Sequence, residues 1–191
     1  MKQKVLAETI VLFSFLVLRF TLKGPTDMSK RDIDPKLFYS VASKYVDEAK
    51  IIFAHVGPGL PKENISSYTD NGVNYSWSQI DETHPTYSDT GSLYFILGHA
   101  IELYLKTLLI IEGNDSAVLK KIGHNLEKAI ASLKSNELTD TCRHVIDAFS
   151  EQHANLVYRY PEHPQNTIPI PEVLFEVADE LKSLVDGMIC L

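Results

Sequence analysis

The chain has 191 residues, 45% of them hydrophobic and 23% charged, which is enough for one sizeable core and too few for two comfortable domains. A net charge of −7 excludes a protein that holds nucleic acid through a broad basic field, so any nucleic-acid contact has to be local. The two cysteines, Cys142 and Cys190, form no C-x-x-C pair and suggest neither a disulfide framework nor a zinc knuckle; a cytoplasmic, reducing setting fits them best.

Residues 1–33 read as an extension. A basic start precedes an apolar run from Thr9 to Leu18, bracketed by Glu8 and Arg19, which is short for a membrane span and lacks a small-residue cleavage site. Two readings stand side by side: Met28 is the true start, or the run is a weak membrane anchor. N-x-S triplets at Asn64, Asn74 and Asn114 would suit a secreted chain, the least favoured reading. Residues 1–27 carry four basic and two acidic side chains, so the remainder stands at −9 against −7 for the whole.

Residues 34–191 read as one all-α domain of about five main helices. Asp34-Pro35 signals a helix start, and Leu37, Phe38, Val41, Tyr45, Ala49, Ile52 and Phe53 follow helical spacing to about His55. Residues 57–88 are too long and too rich in turn formers for an ordinary helix connection and read as an insertion. Within it, Asn71-Gly72 suits a two-residue turn, and the alternation of Val73, Tyr75 and Trp77 with Asn74 and Ser76 predicts a β-hairpin with Tyr68 facing Tyr75. Tyr68, Tyr75, Trp77 and Tyr87 could stack bases, but packing onto a helical body is the commoner use, and no Lys or Arg lies between Lys62 and Lys106.

Ser88 or Asp89 is expected to cap the next helix, "GSLYFILGHAIELYLKTLLIIEG", which stops at Gly113-Asn114. It is apolar almost all round, as a central helix is, apart from one narrow stripe holding His99, Glu102 and Lys106. After a turn at Asn114-Asp115-Ser116, a helix starts at His124 or Asn125 and buries Leu126, Ile130 and Leu133. Thr139 or Asp140 opens the fourth long helix, with Cys142, Val145, Ile146, Phe149, His153, Leu156 and Val157 on its apolar stripe. Pro161 forces Tyr160 out of helical geometry, and Pro171 opens a closing helix carrying Val173, Leu174, Val177, Leu181, Leu184 and Val185.

The E-x-x-x-K of Glu102 and Lys106 in a long apolar helix before Gly113, the start His124-Asn125-Leu126, and Arg159-Tyr160-Pro161 occur in that order with helix-sized spacing. In this the chain resembles the HEPN family over about residues 35–188. The resemblance implies an up-and-down helical bundle, usually a homodimer, tied to nucleotide or RNA biology and to toxin–antitoxin and defence systems. It implies partners such as an antitoxin or a nucleotidyltransferase, and in some members a metal-independent ribonuclease.

Ribonuclease members carry an Arg followed after four to six residues by a His, giving a cation for the phosphate and an imidazole for proton transfer. Here Arg159 and His163 form the candidate catalytic pair, but only three residues separate them and a proline lies between. Arg143 precedes His153 by too many residues to replace that pair, though His153 is the alternative base for Arg159. The expected polar or ligand-binding site is Glu102, Lys106, His124, Arg159 and His99, with Glu102 and Lys106 as an i,i+4 pair that orients Arg159 or His124. His153, alone on an apolar stripe, reads as a satisfied core histidine. Seven histidines without H-x-x-x-H or HExxH spacing imply no metal, and no cofactor motif is present. The function read from the chain is a nucleotide-, RNA- or partner-binding module; a divergent ribonuclease and a structural interaction module are the alternatives.

Overall fold

The computed structural model describes residues 33–56, 65–70, 73–79, 87–135, 137–155 and 167–189. Residues 1–32, with both readings of the N-terminus, lie outside them, as do Leu156, Val157, Arg159, Tyr160, Pro161 and His163. All described residues belong to one compact unit, Ile33–Leu191.

Helix α1, Pro35–Val56, begins where Asp34 Oδ1 accepts a hydrogen bond of 2.9 Å from the Lys36 amide and Pro35 takes the first helical position. Ala42, Val46 and Ala49 form its buried face. Two of these are alanines, which lets α1 lie close along α2, Tyr87–Ile111. Leu37, expected on the apolar face, is 57% exposed, because it sits five residues before Ala42 and therefore about 140° around the helix from it.

Helix α2 is the centre of the bundle, touching α1 along one side and the last helix along another. Leu93, Leu97, Ala100, Ile101, Tyr104, Leu105 and Leu109 are fully buried, which accounts for a sequence that is apolar around its whole circumference. The helix ends in a Schellman turn. Gly113 takes φ +87°, its amide donates to the Ile110 carbonyl, and the Asn114 amide reaches back to Leu109, both at 2.9 Å.

The next segment departs from expectation. In place of a turn leading into one helix, two short helices form, α3, Ser116–Ile122, and α4, Leu126–Ala131. Asp115 causes the first, accepting from the Ala117 and Val118 amides at 2.9 and 3.0 Å, and Gly123 at φ +62° ends it. Asn125 then caps α4 through the Lys128 amide at 2.7 Å, which settles the choice between His124 and Asn125; the His124 ring pairs with Glu102 instead.

Thr139 opens α5, Asp140–Ala154, by accepting from the Cys142 amide at 3.1 Å. Glu180, on the last helix α6, Pro171–Ile189, accepts in turn from the Thr139 amide and hydroxyl at 2.8 and 2.9 Å. The start of α5 is thus tied to the middle of α6. Cys142, Val145, Ile146, Phe149 and His153 are buried on α5, and Leu174, Ala178, Leu181 and Val185 on α6. The six described helices form an all-α frame.

A small antiparallel ladder accompanies the frame. Strands β1, Ile65–Asp70, and β2, Val73–Gln79, pair with Tyr68 opposite Tyr75, and β3, Thr167–Pro169, pairs with β2 through Ser78 opposite Ile168.

Candidate functional site

One buried carboxylate organises the polar interior. Glu102 lies in the middle of α2, on the stripe it shares with His99 and Lys106, and its side chain is only 4% exposed. A lone buried carboxylate would cost several kcal/mol or more, so its charge has to be matched. Three groups from three places in the chain meet it. Lys106, one turn on, donates to Oε1 at 2.6 Å; His124, between α3 and α4, approaches Oε2 through Nδ1 at 3.0 Å; His153, in the last turn of α5, approaches Oε2 through Nε2 at 2.9 Å.

An ionised carboxylate only accepts hydrogen bonds, so the facing nitrogen of each imidazole carries the proton. Burial alone would raise the Glu102 pKa. The bonds from His124 and His153 and the Lys106 ammonium outweigh it and hold the carboxyl well below the usual carboxylate range. The group is therefore an anion clamped by donors, not a proton-exchanging acid.

His99, one turn before Glu102, is held differently. Its ring lies between Phe95, at 5.0 Å between centroids, and Tyr45 of α1, at 6.1 Å. Its Nδ1 is buried and has no hydrogen-bond partner. Burial pushes its pKa down from 6.5 to about 4 despite the pull of Glu102, with His153, His124 and Lys106 adding to the depression. His99 is neutral at physiological pH.

The ring of His153 needs room, and Gly98 provides it. A Cβ at position 98 would come within 2.4 Å of His153 Nδ1 and 3.1 Å of the Phe149 ring. The glycine inside an otherwise strong helix former is thus the residue against which α5 packs its histidine.

Above this cluster lies a shallow open cleft of about 240 Å³, walled by Ile33, Phe38 and Leu119. Lys106, Lys120, His124 and Ser116 supply its polar lining. Lys106 and His124 therefore link the buried carboxylate to the surface, Lys106 at 14% exposure and His124 at 55%.

Four of the five residues expected in the polar site, Glu102, Lys106, His124 and His99, converge here. Arg159, the fifth, and the catalytic candidate His163 lie outside the described residues. His153, read as a satisfied core histidine, is 1% exposed and bonded to Glu102. Its partner is 51 positions away in sequence. That is why spacing motifs missed a second feature: His99, Glu102 and His153 each bring a ligand-capable atom within 4.8 Å of the others. Lys120 carries no signal in the sequence, because its place in the cleft depends on α3. No protein-family model, no curated protein and no solved structure matches the chain.

Proposed function

We propose that this protein is a HEPN-like binding module whose cleft receives a phosphate group of a nucleotide or an RNA end. One observation carries the reading: in a chain of net charge −7, Lys106, Lys120 and His124 gather around one cleft beside the apolar ring of Phe38. The two lysine cations recognise phosphate oxygens, and an apolar wall accepts a base or sugar face. Glu102 then acts as the internal anchor that orients Lys106 and His124. The reading carries with it a homodimer, the hairpin as an insertion in the helical body, and a protein partner such as an antitoxin or nucleotidyltransferase.

The ribonuclease reading rests on Arg159 with His163 or His153. The burial of His153 and its commitment to Glu102 weigh against it as a base that reaches substrate. A structural interaction module remains the third reading, in which the polar residues serve only the core.

The test is binding of a fluorescent, 5′-phosphorylated single-stranded RNA and of a nucleoside monophosphate by the purified chain. Lys120→Glu is expected to weaken binding about tenfold or more, the worth of one charge-assisted contact. No binding of either probe to the wild-type chain would overturn the reading. The same RNA incubated in EDTA with wild type and Arg159→Ala decides the enzyme question: an intact substrate with wild type ends the ribonuclease alternative.

A further inference from the structure

The polar cluster beneath the cleft has a second use. His99 and Glu102 are one turn apart on α2, so they share a face, the arrangement by which helical bundles present paired metal ligands to their interior. His153 comes from α5 to the same point, and the three ligand-capable atoms lie within 4.8 Å of one another. The rings of His99, His124 and His153 surround that point, with centroid separations of 6.0, 6.0 and 6.4 Å.

We infer that His99, Glu102 and His153 form a binding site for a divalent transition-metal ion of the zinc class, with His124 at its solvent-facing side. Imidazole and carboxylate ligands suit such an ion and suit calcium or magnesium poorly. Ligand atoms that all lie within 4.8 Å of one another stand no more than about 2.8 Å from a common centre, against about 2.0–2.2 Å in zinc sites. Side-chain rotations of well under an ångström close that gap.

Two details favour a ligand set over a hydrogen-bond network alone. His99 joins the cluster without donating or accepting through Nδ1, a buried polar atom with nothing to bind. His153 Nε2 and Glu102 Oε2 stand 2.9 Å apart, so an ion replaces the proton between them, which passes to Nδ1 or to solvent. Lys106 holds the other carboxylate oxygen, Oε1, and is itself a cation in competition with the metal.

The inference is independent of what the cleft binds, and the variants separate the two. The full chain, stripped with EDTA and returned to chelator-free buffer, is titrated with zinc chloride by calorimetry, and with cobalt(II) to read its visible d–d absorption. The expected result is one ion per chain and a cobalt spectrum of four-coordinate intensity. His99→Leu should weaken zinc binding at least 100-fold while leaving the chain folded, since Nδ1 has no bond to lose. Lys106→Met should tighten zinc binding and weaken phosphate binding; Lys120→Glu should weaken only the latter. Absence of stoichiometric zinc binding by wild type, or a His99→Leu variant that binds as tightly, overturns the inference. So does weaker zinc binding by a folded Lys106→Met.

Discussion

His153 Nε2 donates to Glu102 Oε2 across 2.9 Å, and this bond joins the end of α5 to the middle of the central helix. Both residues are nearly inaccessible, at 1% and 4% side-chain exposure. Removing Glu102 would strand the buried His153 donor and leave Lys106 without its counter-charge. Glu102→Ala is therefore expected to lose about 3–5 kcal/mol, the cost of breaking a buried ionic network from one side. Glu102→Gln, which keeps the shape without the charge, should lose less. Urea unfolding followed by circular dichroism measures both.

Gly98→Ala tests the close approach of α5. A methyl 2.4 Å from His153 Nδ1 forces that ring away from Glu102, with an expected loss of about 1–3 kcal/mol despite alanine's better helix propensity. Truncating the ring removes the clash, so Gly98→Ala combined with His153→Ala should lose clearly less than the two single changes together. A double-mutant cycle that came out additive would count against the contact.

The response to acid has a defined sign. The unfolded chain protonates His99 near 6.5, whereas in the fold burial holds it down to about 4. Stability is therefore full above pH 6.5 and falls as pH drops toward 4, by at most about 3 kcal/mol. Glu102 acts in the same sense at lower pH, since its carboxyl is held below its ordinary 4.5. In EDTA, His99→Leu should flatten the loss between pH 6.5 and 4 and leave the lower part intact. Urea midpoints across that range read the slope.

Helix α3 depends on its cap. Asp115→Ala removes the acceptor for two amide groups at 2.9 and 3.0 Å and is expected to lose about 1 kcal/mol. Because α3 carries Lys120, the same change should weaken phosphate binding more than it lowers the melting temperature would suggest. Amide exchange of Ala117 and Val118 would show the fraying directly.

The parts of the fold that depend on neighbours in sequence were legible from it. Asp34-Pro35, Gly113-Asn114, Asn125 and Thr139 mark helix ends through groups two to five residues away, and the periodicity of α5 and α6 identifies their buried faces. Helix α3 was not legible, since a seven-residue helix offers little periodicity and Asn114-Asp115-Ser116 also reads as a turn. In the site, the stripe His99, Glu102 and Lys106 followed from the helical repeat, and His124 from the motif His124-Asn125-Leu126 that carries the family resemblance. The bond from His153 did not follow, because it depends on how α5 crosses α2. Gly98 carried the available signal, a glycine in a helix that otherwise has no reason to hold one.

Ser150 and His153 stand one turn apart on α5 and face different helices. The Ser150 hydroxyl accepts from the Glu127 amide at 3.1 Å, in the first turn of α4, while His153 reaches α2. A shift of α5 along its axis would break both attachments together. The start of α4, and His124 just before it, are thereby mechanically coupled to the buried carboxylate. Exchange of the Glu127 amide should then follow the same opening event that exposes Glu102, so the surface cleft and the interior cluster yield as one cooperative unit.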